Sequence, residues 1–153
     1  MIPELKNLSD SEINLLKKIP AMVTILIAGA DEQISRSELK KAVNVTNIKQ
    51  SKARKELLSY YQEIAPDFEK SLNDLLASYP SDAEIRSKQV IEEIERLNDI
   101  LSKVDRYWAL QFVSSMKDLA KKVAEAAGGV FGYLSIGYEE SKLIDLEMIK
   151  VPN

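Results

Sequence analysis

Ile19-Pro20-Ala21-Met22-Val23-Thr24-Ile25-Leu26-Ile27-Ala28-Gly29-Ala30-Asp31-Glu32-Gln33-Ile34-Ser35-Arg36-Ser37-Glu38 decides how this chain folds. Its first twelve residues are apolar almost all round a helical turn, the pattern of a helix buried at the centre of a domain. A membrane span needs about 20 such residues, so this run is too short to be one. A polar turn then reaches Ile34 and places Glu38 four residues later, at the head of another helix. A second stretch repeats that skeleton a hundred residues on: Gly132-Tyr133-Leu134-Ser135-Ile136-Gly137-Tyr138-Glu139-Glu140-Ser141. It too follows a long apolar helical pattern, and it reaches Ile136 and then Glu140.

Helical periodicity continues outward in both directions, with no alternating strand pattern. Ser9 with Glu12 forms a capping box that starts a short helix through Leu15, Leu16 and Ile19. Pro20 then suits the first turn of a new helix, where its missing N–H is no loss. Ser35 with Glu38 is a second capping box, and Asn44–Ile48 reads as a break. A longer helix carries Ala53, Leu57, Tyr61 and Ile64. Pro66 interrupts it and begins another, with Phe68, Leu72, Leu75, Leu76 and Tyr79 inward. Ser81 with Glu84 opens a helix through Val90, Ile94, Leu97, Leu101 and Val104. The next places Trp108, Phe112, Met116, Leu119, Val123 and Ala127 along one stripe, and a short one spans about Tyr138 to Leu146. The expectation is all-α: a single compact domain over 1–153 with seven to eight helices. Two pseudo-repeated helix-turn-helix halves would pack face to face around an inserted region of helical hairpins.

Composition narrows the chemistry. The 153 residues are 45% hydrophobic and 29% charged, with a formal net charge of −3, which is globular and carries no global attraction to nucleic acid or anionic lipid. Cysteine and histidine are absent. That removes thiolate and Ser–His nucleophiles and Cys/His zinc sites, so any metal would be a hard cation such as Mg²⁺ or Ca²⁺ held by oxygen. The first residues show no basic region followed by an apolar one, so no signal peptide is expected and a cytoplasmic location is the default.

The first turn invites comparison with the second half of a calcium-binding EF-hand loop. With Ile34 at the loop's eighth position, Asp31, Gln33, Ser35 and Glu38 fall on oxygen-donor places, but Ile27 and Gly29 fill the first and third and Glu32 replaces the turn glycine. About half the ligands of a calcium site are therefore present. The second turn keeps only Glu140 as an acid in that register. Glu38 as a helix cap explains the turn on its own. A composite site forms only if the two halves bring Asp31, Glu38, Glu139 and Glu140 together around a weakly held Mg²⁺ or Ca²⁺.

Ile25-Leu26-Ile27-Ala28-Gly29-Ala30-Asp31-Glu32-Gln33-Ile34-Ser35-Arg36-Ser37-Glu38 resembles the A-x-A-D-G-x-I-x-x-x-E turn of the tellurite-resistance TerB-like family. Ala126-Ala127-Gly128-Gly129 through Glu140-Ser141-Lys142-Leu143-Ile144 resembles that family's second copy. The resemblance implies a compact all-α fold with an acidic cluster suspected of holding metal. It also implies a role in tellurite resistance or stress response beside membrane-associated partner proteins. By position, Asp31 and Glu38 match the first motif and Glu140 the second glutamate. Glu32 stands for the motif glycine, and Tyr133 where the second motif has Asp.

Charge is unevenly spread. Between Arg36 and Lys55 lie seven basic residues (Arg36, Lys40, Lys41, Lys49, Lys52, Arg54, Lys55) against the one acid Glu38, which leaves about −9 for the rest. Such a stretch is either a solvated helix face or a docking surface for an acidic partner, anionic lipid or nucleic acid. No aromatic interleaves it, so single-strand stacking is not supported. Tyr107 and Trp108, like Tyr60 and Tyr61, have the spacing of core anchors. Gly128–Gly137 lacks the lysine of a phosphate loop and reads as a cap and turn. Three functions fit: a non-enzymatic binding or scaffold module with a protein partner, a carboxylate-based divalent-metal hydrolase, and a basic-surface nucleic-acid binder.

Overall fold

The computed structural model describes residues 2–29, 34, 36–126 and 140–150. Among them lie six α-helices of ten residues or more and two of five, with no strand. A 3₁₀ turn at Pro3–Leu5 leads into α1 (Asp10–Ala28). The expected capping box starts it: the Ser9 hydroxyl accepts the Glu12 N–H at 3.2 Å, and the Glu12 carboxylate accepts the Ser9 N–H at 2.9 Å.

Pro20 does not start a new helix; it sits inside α1. A proline there withholds the N–H that would bond the carbonyl four residues back, which is that of Leu16. The Tyr60 hydroxyl donates to that carbonyl at 2.7 Å instead, from a fully buried ring. A side chain from another helix thus replaces the missing backbone donor, and the helix continues. Ile19 to Gly29 is buried throughout, as the unbroken apolar pattern predicts.

α2 (Arg36–Lys52) also runs through an expected interruption, Asn44–Ile48. Asn, Val and Thr are weak helix formers, but here Ala42, Val45 and Thr46 are buried. The Thr46 hydroxyl donates back to the Ala42 carbonyl at 2.8 Å, so burial overrides local preference. The real joint comes later, at Ala53–Arg54, before α3 (Lys55–Ile64). A 3₁₀ turn at Ala65–Asp67 carries Pro66 and leads into α4 (Phe68–Ser78), which buries Phe68 and Leu72. α5 (Ala83–Glu95) is capped one residue later than expected: the Asp82 carboxylate accepts the Ile85 N–H at 2.9 Å, in place of a Ser81 cap. A turn at Arg96 separates α5 from α6 (Leu97–Leu101), where a single helix was expected. Val90, Ile94, Leu97 and Leu101 are nevertheless all buried.

α7 (Arg106–Ala126) packs against α1, α2 and α3, which places the apolar centre opposite the Trp108 stripe. Trp108 and Phe112 stack at 5.2 Å, and Tyr60 meets both rings edge-on. Tyr107 departs from the expected anchoring and is half exposed. α8 (Glu140–Ile144) ends two residues before the expected Leu146, and its expected start at Tyr138 lies outside the described residues. Leu146 follows it with φ 50°, and the bonds Glu147 N–H to Lys142 O and Leu146 N–H to Leu143 O form a Schellman closure. A non-glycine residue in that conformation carries strain of about 1 kcal/mol, offset by complete burial of the leucine. One hydrophobic core takes residues from the Pro3–Leu5 turn and from every one of these α-helices.

The Tyr60 replacement makes a measurable claim. Tyr60→Phe should cost about 1–3 kcal/mol in urea unfolding, because it strands a buried carbonyl. Combining it with Pro20→Ala should shrink that cost, since alanine returns a backbone donor to Leu16. Additive losses would show that the two residues are not coupled.

Arg86 ties α5 to the end of α1. Its guanidinium is buried and donates to the Gly29 carbonyl at 3.1 Å and the Ser81 carbonyl at 3.3 Å. This places a cation at the negative end of a helix. A Cβ on Gly29 would come within 2.6 Å of the Ile25 carbonyl and 2.9 Å of the guanidinium. Gly29→Ala should therefore lower stability by about 1–3 kcal/mol, readable as a lower melting temperature.

Candidate functional site

The four acidic candidates are placed unequally. Glu38 is buried in the first turn of α2. Asp31, Glu139 and the side chain of Glu140 lie outside the described residues, as do Ser35, Ile136 and the Gly-rich stretch, so their convergence is not on view. Among the described residues no three potential metal ligands cluster. Ile34 packs on the core, as a residue pinning the turn should.

The basic candidates are fully described, and they divide. Lys40, Lys52, Arg54 and Lys55 are exposed and Lys41 is partly so; none makes an ion pair or side-chain hydrogen bond among the described residues. Lys49 turns inward from the same helix. Its ammonium donates to the Ser115 hydroxyl at 3.0 Å, lies 3.4 Å from Asp118 and sits 5.5 Å from the Tyr61 ring centroid. Burial pushes its pKa below the usual lysine value, against the pull of Asp118. Asp118 also pairs with Lys122 at 3.1 Å. Partial burial raises the Asp118 pKa, but the Lys122 hydrogen bond and the Lys49 charge outweigh it and hold the carboxyl below its ordinary 3.8.

Behind Lys49 the Ser115 hydroxyl shares a 2.5 Å hydrogen bond with the Tyr61 hydroxyl. Burial raises that phenol to about 12, opposed by the Ser115 bond. In front of it a cavity of about 240 Å³ opens between the α2–α3 joint and α7, lined by Lys49, Arg54, Gln111, Ser114, Ser115 and Asp118 among others. The α7 residues of this site escaped a reading based on sequence. Their one local signal is Ser114-Ser115, a polar pair set into the Trp108–Phe112–Met116–Leu119 stripe. Among the described residues Glu92, Glu93, Glu95, Asp99 and Asp105 belong to no group of potential metal ligands. Glu93 accepts from the Tyr79 hydroxyl, and Asp105 caps the Trp108 N–H at 3.0 Å.

No family model matches this chain, and neither a curated protein nor a solved structure matches it. The TerB-like likeness thus rests on the turn residues alone. No helix among the described residues is long and apolar enough to cross a membrane.

The low Asp118 pKa has a sign. A carboxyl depressed by folding stabilises the folded state above its unfolded pKa, and that stability is lost as pH falls through the lower folded value. Asp118→Asn should therefore flatten the acid limb of a plot of urea midpoint against pH, starting from about pH 4 downward. An unchanged limb would show that the Lys49 and Lys122 contacts contribute nothing in solution.

Proposed function

We propose that this chain is a non-enzymatic helical binding module whose partner is an acidic protein surface, engaged through the α2–α3 joint. One observation carries the reading: Lys40, Lys41, Lys52, Arg54 and Lys55 have no counter-charge among the described residues, within a chain that is otherwise acidic. A cluster of one sign speeds and orients association with the opposite sign and falls off with salt. The TerB-like setting of tellurite or stress response, with membrane-associated partner proteins, belongs to the same proposal and is supported by the turn residues only.

Retention on immobilised polyglutamate and on immobilised DNA, eluted with salt, tests this. The wild type should be held by polyglutamate at low salt, and a Lys40→Glu, Lys52→Glu, Lys55→Glu variant should pass through. Equal retention of both proteins, or retention by DNA alone, overturns the reading.

A second reading is supported by the acidic residues of the turn sequence, Asp31 and Glu38: a Mg²⁺ or Ca²⁺ ion held weakly there. Saturation at 100 times Kd would add about 2.7 kcal/mol of stability. Melting curves that coincide in EDTA, Mg²⁺ and Ca²⁺ remove it.

A further inference from the structure

The cavity beside Lys49 is lined by donors whose hydrogen-bonding capacity the protein leaves unused. Arg54, Gln111 and Ser114 line it, and their side chains take no hydrogen-bond partner among the described residues. Lys49 has three N–H donors, and only two are directed, at Ser115 and Asp118. The carboxylate in the wall, Asp118, is already flanked by Lys49 and Lys122, so the local balance stays positive once Arg54 is counted. α3 begins at this wall, and no side chain caps its first turn, which adds the positive end of a helix dipole. At about 240 Å³ the cavity falls below the roughly 300–1,000 Å³ of pockets that enclose small molecules. It has room for one side chain.

The surface next to it is apolar. Of the four large hydrophobic side chains exposed among the described residues, Tyr107 and Leu110 lie on α7, one turn before Gln111 and Ser114. Residues three and four apart share a helix face, so the two apolar groups and the two unused donors form one stripe. Single exposed hydrophobics are ordinary, but this pair continues a cationic pocket.

We infer that the cavity receives a Glu or Asp carboxylate from an acidic, amphipathic segment of a partner protein, whose apolar side chains lie on Tyr107 and Leu110. The inference rests on the binding-module reading and deepens it. Arg54 offers the planar fork that meets a carboxylate with two parallel bonds. Gln111, Ser114 and the remaining Lys49 proton complete the donor set. Asp118 works against the ligand and sets the strength of binding, so its neutralisation tightens the complex.

Fluorescence anisotropy with a labelled peptide carrying glutamate and leucine at helical spacing tests this, beside its Glu→Gln twin and a single-stranded oligonucleotide. The wild type should bind the acidic peptide and not the twin. Arg54→Gln should weaken binding about tenfold and Asp118→Asn strengthen it about threefold. Leu110→Ser should weaken it, and Lys70→Gln, outside the cavity on α4, should leave it unchanged. The opposite directions of the Arg54 and Asp118 variants separate a lost contact from a lost fold. If the peptide binds and both variants leave its affinity unchanged, the cavity assignment falls while the basic-face reading stands. No binding of the acidic peptide by the wild type overturns both. Tighter binding of the twin or of the oligonucleotide overturns the acidic occupant.

Discussion

The Leu16 carbonyl is the point on which the rest of the structure depends. It lies one turn before the buried run from Ile19 to Gly29, in a helix whose proline cannot satisfy it. An unpaired carbonyl in such a place costs about as much as a lost core contact, and a domain is stable by only about 5–15 kcal/mol. The Tyr60 hydroxyl meets it, and this bond ties α3 to α1. Tyr60 also lies edge-on to Tyr61, Trp108 and Phe112, so the bond that completes α1 also seats the aromatic cluster of α7. The Trp108 indole extends the chain by donating to the Glu56 carbonyl at the start of α3.

The residue next to Tyr60 faces the opposite demand. Tyr61 directs its hydroxyl to Ser115, and Ser115 accepts from Lys49. A line of polar contacts therefore runs from the core, through the α3–α7 seam, to the wall of the cavity. Partial burial makes the ammonium of Lys49 harder to keep charged, and Asp118 compensates at the rim. The same packing that orders the core thus decides which lysine of the basic stretch is held in place and which remain exposed.

Much of the architecture was legible because helix signals are local. The Ser9–Glu12 box, the apolar span to Gly29, the Pro66 interruption and the Trp108 stripe as far as Val123 all appear where their patterns place them, and Ala127 lies outside the described residues. The misplaced breaks share one cause. At Pro20 and at Asn44–Ile48 local chemistry argues for an interruption, and a distant group or burial overrules it. At Arg96 a continuous apolar period conceals a turn, because a one-residue adjustment leaves the buried positions on the same side. Tyr107 and Trp108 are neighbours of similar character, and only packing separates an exposed ring from a buried one.

By itself the amino-acid order determined the helical class, the central helix, the limits that missing cysteine and histidine place on chemistry, and a basic segment in an acidic chain. These follow from composition and from a period of 3.6 residues, which need no knowledge of neighbours. The tertiary structure alone decided that Lys49 turns inward, that Arg54, Gln111 and Ser114 line one cavity, and that Tyr60 completes α1. Those facts depend on residues some 44 to 66 positions apart in the chain, and no local pattern records which distant side chain will supply a missing partner.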